Sequence, residues 1–153
     1  MLRRALAEPG LWQRATHPET AGAWVEEVLR REPPVTTWRR TTARSVRLGG
    51  VDLPPGAPLL LMLLGSGSEP EVFPDPGRMC PHRPNIRQHL AFGAGRHRCP
   101  GAALARTEAT VALRRAAHHL PHLTPDAPTA PLLGLLSFRA PLSVTVWRTV
   151  VPV

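Results

Sequence analysis

Apolar residues recur at helical spacing late in the chain, where Ala105, Ala109, Ala112, Ala116 and Leu120 fall on one stripe and predict a helix over 102–120. A second helix is expected around Glu27-Val28-Leu29-Arg30, where an acid and a base three residues apart share one face. Between them the period shortens to two. Val46 to Leu48 and Val51 to Leu53 flank Gly49-Gly50, a pairing that predicts a tight hairpin. After Pro54-Pro55-Gly56, the apolar run from Leu59 to Leu64 predicts a further strand. Leu142, Val144 and Val146 alternate with Ser143, Thr145 and Trp147, which predicts a late strand. The proline-rich stretch from Pro121 to Pro141 predicts an extended connector, and no internal repeat is visible. The pattern as a whole is mainly α with a small β-sheet, an α+β class.

Composition narrows the options. At 153 residues the chain fits one domain with a sizeable core. No apolar run approaches the roughly twenty residues needed to span a bilayer, and no secretory signal precedes Glu8-Pro9-Gly10, so a cytoplasmic protein away from membranes is expected. Nineteen basic residues against eleven acids give a formal charge of +8, but the charge is scattered and lacks aromatic interleaving, which argues against nucleic-acid binding. His118, His119 and His122 read as a helix-end cluster favoured by the macrodipole.

The chemistry concentrates in Phe92-Gly93-Ala94-Gly95-Arg96-His97-Arg98-Cys99-Pro100-Gly101. A cysteine binds metal or attacks as thiolate, and nearby cations and a helix N-terminus favour that form. Arg96, His97 and Arg98 supply the cations. Gly93 and Gly95 permit turns that other residues resist, Pro100 suits the first turn of the following helix, and Gly101 lets another group approach closely. A lone cysteine is otherwise an inert residue on a glycine-rich turn; here the flanking pattern reverses those odds.

Phe92, Gly95, His97, Cys99 and Gly101 match every position of Phe-x-x-Gly-x-(Arg or His)-x-Cys-x-Gly, and the run continues as Gly101-Ala-Ala-Leu-Ala-Arg106. At these residues the chain resembles the cytochrome P-450 family of haem-thiolate monooxygenases, in its bacterial soluble branch. The resemblance implies the C-terminal part of the cytochrome P-450 fold over 1–153, with Cys99 as axial ligand of the iron of haem b, iron protoporphyrin IX. It implies that Arg40 and His97 hold the haem propionates, and that Glu27, Arg30 and Arg83 form a structural triad; for Arg40 a solvated arginine beside Arg39 is an equal alternative on sequence alone. It also implies a small organic substrate, and a ferredoxin-type redox partner on the cysteine-side face, steered by Arg96, Arg98, Arg114 and Arg115.

No Gly-x-(Asp or Glu)-Thr stretch of the kind that serves oxygen activation in the family is present, and Thr107-Glu108 falls on the helix after the cysteine. The resemblance therefore implies that an N-terminal half, with the distal helix, lies outside these residues and that the chain alone is inactive as an oxygenase. Other positions depart from the pattern. Gly67-Ser68-Glu69-Pro70 stands where soluble relatives carry an Asn-Arg-Asp-Pro-like segment, Met79 replaces a phenylalanine, Cys80 an acid, and Ser45 an aspartate. These put the order of that loop region in question. Two other functions stay open: a noncatalytic haem- or partner-binding remnant, and a structural domain with zinc on Cys80, His82, His97 and Cys99. The zinc spacing, with one residue between each thiol and imidazole, is tighter than the usual two to four. A reducing cytoplasm argues against a Cys80–Cys99 disulfide.

Overall fold

The computed structural model describes residues 1–126 and 131–148. Its centre is the helix α3 (Pro18–Arg31), entered through Pro18 at the first position, where a missing N–H costs nothing. Two short helices, α1 (Leu2–Ala7) and α2 (Leu11–Arg14), precede it. Ala21, Trp24, Val25 and Val28 recur at helical spacing and are buried, and Leu113 and Ala117 of the long helix α5 (Ala102–His119) join them in one core with Ala5, Leu11, Trp12 and Ala15. Each fully buried Trp, Val or Leu side chain contributes about 1.5–3 kcal/mol of apolar transfer. Trp12 Nε1 donates to the Leu120 carbonyl at 2.8 Å, closing the C-terminal end of α5.

Helix α5 ends one residue before the expected boundary. Its buried stripe runs through Ala102, Leu113 and Ala117, whereas Ala112 is exposed. The alanine spacing located the helix and part of its inner face, since Ala109 and Ala116 are partly buried against the core; the fully buried edge is shifted towards Leu113 and Ala117. Pro100 precedes the cap residue Gly101, and so stands just outside the helix rather than in its first turn.

Among the described residues the strands form three two-stranded antiparallel ladders. Hairpin β2 (Val46–Leu48) and β3 (Val51–Leu53) lies where expected, turning on Gly49 and Gly50 at φ +55° and +81°, the left-handed pair that a two-residue hairpin requires. Strand β4 (Pro58–Met62) stops two residues short of the expected end, and the chain turns at Leu63 into the short helix α4 (Leu63–Ser66). Its partner is β1 (Thr37–Thr41), a strand unmarked by hydrophobic alternation, in the register Thr37↔Met62 to Thr41↔Pro58. Thr42 locks the far end, its hydroxyl donating to the Pro54 carbonyl at 2.6 Å and accepting from the Ala57 amide at 2.9 Å.

The late strand begins at Val146 rather than Leu142. Among the described residues of that stretch, β6 (Val146–Arg148) is strand, and it pairs with β5 (Leu123–Pro125), inside the stretch expected to be a connector. Part of that connector, 127–130, lies outside the described residues. Thr36 N–H donates to Ser137 O at 2.9 Å, and the Arg139 amide to Pro34 O at 2.8 Å, so the late segment runs beside the start of β1.

Candidate functional site

Cys99 sits between a short 3-10 turn, Gly95–His97, and the cap of α5. The backbone loops tightly to place it there. Gly93 and Gly95 adopt φ +70° and +67°, and Cys99 N–H donates back to the Phe92 carbonyl at 2.8 Å, closing the loop across the turn. Cys99, His97, Arg96 and Arg98 are all exposed. A Cβ at Gly101 would stand 3.8 Å from the Cys99 sulfur, so the bare glycine keeps the space beside the thiol open. No aspartate or glutamate occurs between Asp75 and Glu108, so this segment is basic throughout.

The second motif is assembled and buried. Arg30 donates from Nε to Glu27 Oε2 at 2.8 Å and from Nη2 to Oε1 at 2.7 Å, a two-pronged pair with both residues almost fully excluded from solvent. Arg83 joins at 3.5 Å from Nε to Glu27 Oε1. The cations then hold a loop by its carbonyls. Arg30 reaches Gly67 O, Pro76 O at 3.1 Å and Arg78 O at 3.4 Å, while Arg83 reaches Pro74 O, Asp75 O at 2.7 Å and Arg78 O at 2.8 Å. Glu27 also accepts the Cys80 amide at 2.8 Å. The unusual Gly67-Ser68-Glu69-Pro70 segment is tied into the same frame: Glu69 O takes the amides of Val72 and Phe73, and Gly67 lies so close to the Arg30 carbonyl that a Cβ would stand 1.9 Å from it. Buried Phe73 presents its ring 5.3 Å from the Arg30 guanidinium carbon.

A second buried network was not evident from the sequence. Glu26 binds His89 Nε2 at 3.0 Å and receives Arg106 through both Nε and Nη2, the latter at 3.2 Å. Burial alone would push the Glu26 carboxyl up, but the hydrogen bonds from His89 and Arg106, with the Arg106 charge, more than offset it and hold the group at about 2. His89 Nδ1 accepts the Ala91 amide at 3.2 Å, which fixes the ring hydrogen on Nε2 facing Glu26. Arg106 lies over the Phe92 ring, 4.5 Å from its centroid. The signal available in the sequence was the doublet Glu26-Glu27, two acids on a helix with one assigned partner set.

Arg40 lies exposed on β1, its Nη1 donating to the Arg39 carbonyl at 2.9 Å and its guanidinium 6.0 Å from the Trp38 ring. Arg114 is committed elsewhere, to the Thr16 carbonyl at 3.1 Å, and is half-buried, unlike Arg115. His118 and His119 end α5 and meet edge to face at 4.8 Å. Among the described residues no group of three or more His, Cys, Asp or Glu could hold a metal ion, so Cys80, His82, His97 and Cys99 do not assemble a zinc site. Both cysteines are free. Among the same residues no helix is long and apolar enough to cross a membrane.

A family profile described as Cytochrome P450 matches residues 15–133. Cytochrome P450 144 of Mycobacterium tuberculosis is 40 % identical over 102 residues, covering 67 % of this chain and 24 % of that protein. Among solved structures, cytochrome P450 CREJ superposes with a TM-score of 0.90 at 32 % identity over 97 % of this chain and 38 % of that one. The P450 heme domain of Tepidiphilus thermophilus gives 0.88 at 34 % identity, over 95 % and 35 %. The chain spans 22 % to 35 % of the length of the curated relatives it matches.

Proposed function

The chain belongs to the cytochrome P450 family, and from that membership we propose that it is the C-terminal, haem-binding portion of a haem-thiolate monooxygenase, with Cys99 as the iron ligand. The observation that carries this is the exposed thiol at the cap of α5, in a glycine-shaped basic loop, with the space beside its sulfur kept clear by Gly101. The donor set suits iron protoporphyrin IX: one thiol for the metal, and His97 and Arg40, both exposed, for its two carboxylates. Bound through thiolate, haem iron activates molecular oxygen, the sulfur pushing electron density towards O–O cleavage.

This chain's own residues do the holding. Phe92 and Gly95 set the loop that directs Cys99 outward; Glu27, Arg30 and Arg83 tie the 67–83 segment to α3. Groups that deliver protons to oxygen, and most contacts to a small organic substrate, would come from sequence outside these residues, so the chain alone would hold haem without completing oxygenation. Arg96, Arg98 and Arg115, exposed at and beyond the cysteine loop, would attract an acidic electron-transfer protein of ferredoxin type. A cytoplasmic location accords with such a partner.

The test is the carbon monoxide difference spectrum of the reduced, haem-supplemented chain. A red-shifted Soret band of thiolate ligation is expected, and Cys99→Ser should abolish it. An unchanged band in that variant would overturn the assignment.

A further inference from the structure

Helix α3 presents two consecutive buried glutamates, and successive helical side chains point about 100° apart. Each therefore serves a different segment. Glu27 holds the 67–83 loop, whereas Glu26 faces the run that leads into the cysteine loop. From Glu26, one route passes through His89 to the Ala91 amide. The other passes through Arg106 to the Phe92 ring, and the Phe92 carbonyl receives the amide of Cys99 itself. Both routes end on adjacent residues at the hinge of the loop.

We propose that Glu26, His89 and Arg106 are positioning residues that hold the hinge of the Cys99 loop against α3 and so fix where the sulfur points. The simpler alternative is a buried ion pair that only joins α3 to α5. Against it stand the two contacts that pairing alone does not require: the Ala91 N–H on His89 Nδ1, and the stacking of Arg106 on Phe92. A cation over an aromatic face resists lateral movement of the ring, and the amide bond fixes the residue before it. With Ala91 and Phe92 held, the Cys99 amide has a fixed acceptor. The sulfur's role as iron ligand rests on the function proposed above; the mechanical role of the network does not.

Amide hydrogen exchange of the 153-residue chain, resolved by residue, tests this without haem. In Glu26→Gln and His89→Phe the amides of Ala91 and Cys99 should exchange about tenfold faster or more, while that of Cys80, held by Glu27, keeps its rate. His89→Asn, whose side-chain oxygen stands where Nδ1 does, should restore protection at Ala91 relative to His89→Phe. Wild-type rates at Ala91 and Cys99 in both variants would overturn the proposal. Equal acceleration at Cys80 would do so too, since it would signify only a weakened core. In the haem-supplemented chain, Glu26→Gln should lower the share of the red-shifted Soret band, and an unaltered share would count against positioning of the sulfur. If Cys99→Ser keeps that band, the haem-thiolate function fails while the exchange rates still decide the network.

Discussion

Replacing Glu27 by glutamine removes one charge from the least accessible ion pair in the described structure. Glu27 is 0 % exposed and Arg30 1 %. Glutamine keeps an oxygen for the Cys80 amide but turns an NH2 towards guanidinium donors and leaves Arg30 and Arg83 without their shared counter-charge. Breaking a buried pair from one side costs about 3–5 kcal/mol, a large part of the roughly 5–15 kcal/mol that stabilises a domain. With a urea slope near 2 kcal/mol per molar, the unfolding midpoint should fall by about 2 M. The control is Arg47→Ala, which breaks a pair with Asp52 that is 3.8 Å long and mostly solvent-exposed, and should change stability by less than about 0.5 kcal/mol.

The double variant Glu27→Leu/Arg30→Met sharpens the test. Where two charges only neutralise each other, apolar replacement of both is often harmless. Arg30 also donates to the carbonyls of Gly67, Pro76 and Arg78, and the double variant strips those bonds from a loop that has no strand or helix of its own to satisfy them. It should therefore remain destabilised. Urea unfolding followed by tryptophan fluorescence reads both, through Trp24 in the core of α3. A midpoint for Glu27→Gln within about 0.3 M of wild type at unchanged slope, or full recovery in the double variant, would refute the reasoning.

Gly67→Ala should cost about 3 kcal/mol or more by calorimetry, because its Cβ would meet the Arg30 backbone oxygen at 1.9 Å and backbone yields poorly; Gly22→Ala, inside α3 with no atom within 4 Å, should gain about 0.5–1 kcal/mol. Glu26 is held at about 2 rather than 4.5, a depression that stabilises the fold above the unfolded value and is lost as pH falls through about 2. Wild-type stability measured from pH 6 down to pH 2 should therefore fall more steeply than that of Glu26→Gln, and parallel curves would contradict the buried carboxylate; Glu32, lowered in the same direction despite its burial by Arg4, is common to both proteins.

What the sequence disclosed followed the range of the interactions involved. The cysteine loop is specified within ten residues by two glycines at positive φ, and the β2–β3 hairpin by the Gly49-Gly50 pair, so both were legible. Glu27 and Arg30 were legible because three helical residues bring them together; Arg83 entered through family resemblance alone. Strand β1 was hidden by Thr37-Trp38-Arg39-Arg40-Thr41, whose polar residues show no alternation, and its partner begins seventeen residues later. Strand β5 lay inside a proline-rich stretch whose composition outweighed three paired residues. Glu26, His89 and Arg106 lie 63 and 80 residues apart along the chain, beyond any local period. No spacing rule could pair them.

The two glutamates of α3 also explain the charge around the sulfur. From Pro76 to Thr107 the chain contains no acid, so its basic residues have no counter-charge close by in sequence. Glu27 compensates Arg83 together with Arg30, and Glu26 compensates Arg106 with His89 beside it. Both acids are buried on the α3 side and both are consumed there. Arg96 and Arg98 enter no ion pair among the described residues and stay exposed beside Cys99. Buried acids thus tie down the frame, while Arg96 and Arg98 are left at the loop without an ion-pair partner among the described residues. A buried frame pair is shielded from salt far more than an exposed cation is. If this face takes the acidic redox protein proposed above, raising ionic strength should weaken that binding while leaving the loop, and its exchange rates at Ala91 and Cys99, unchanged.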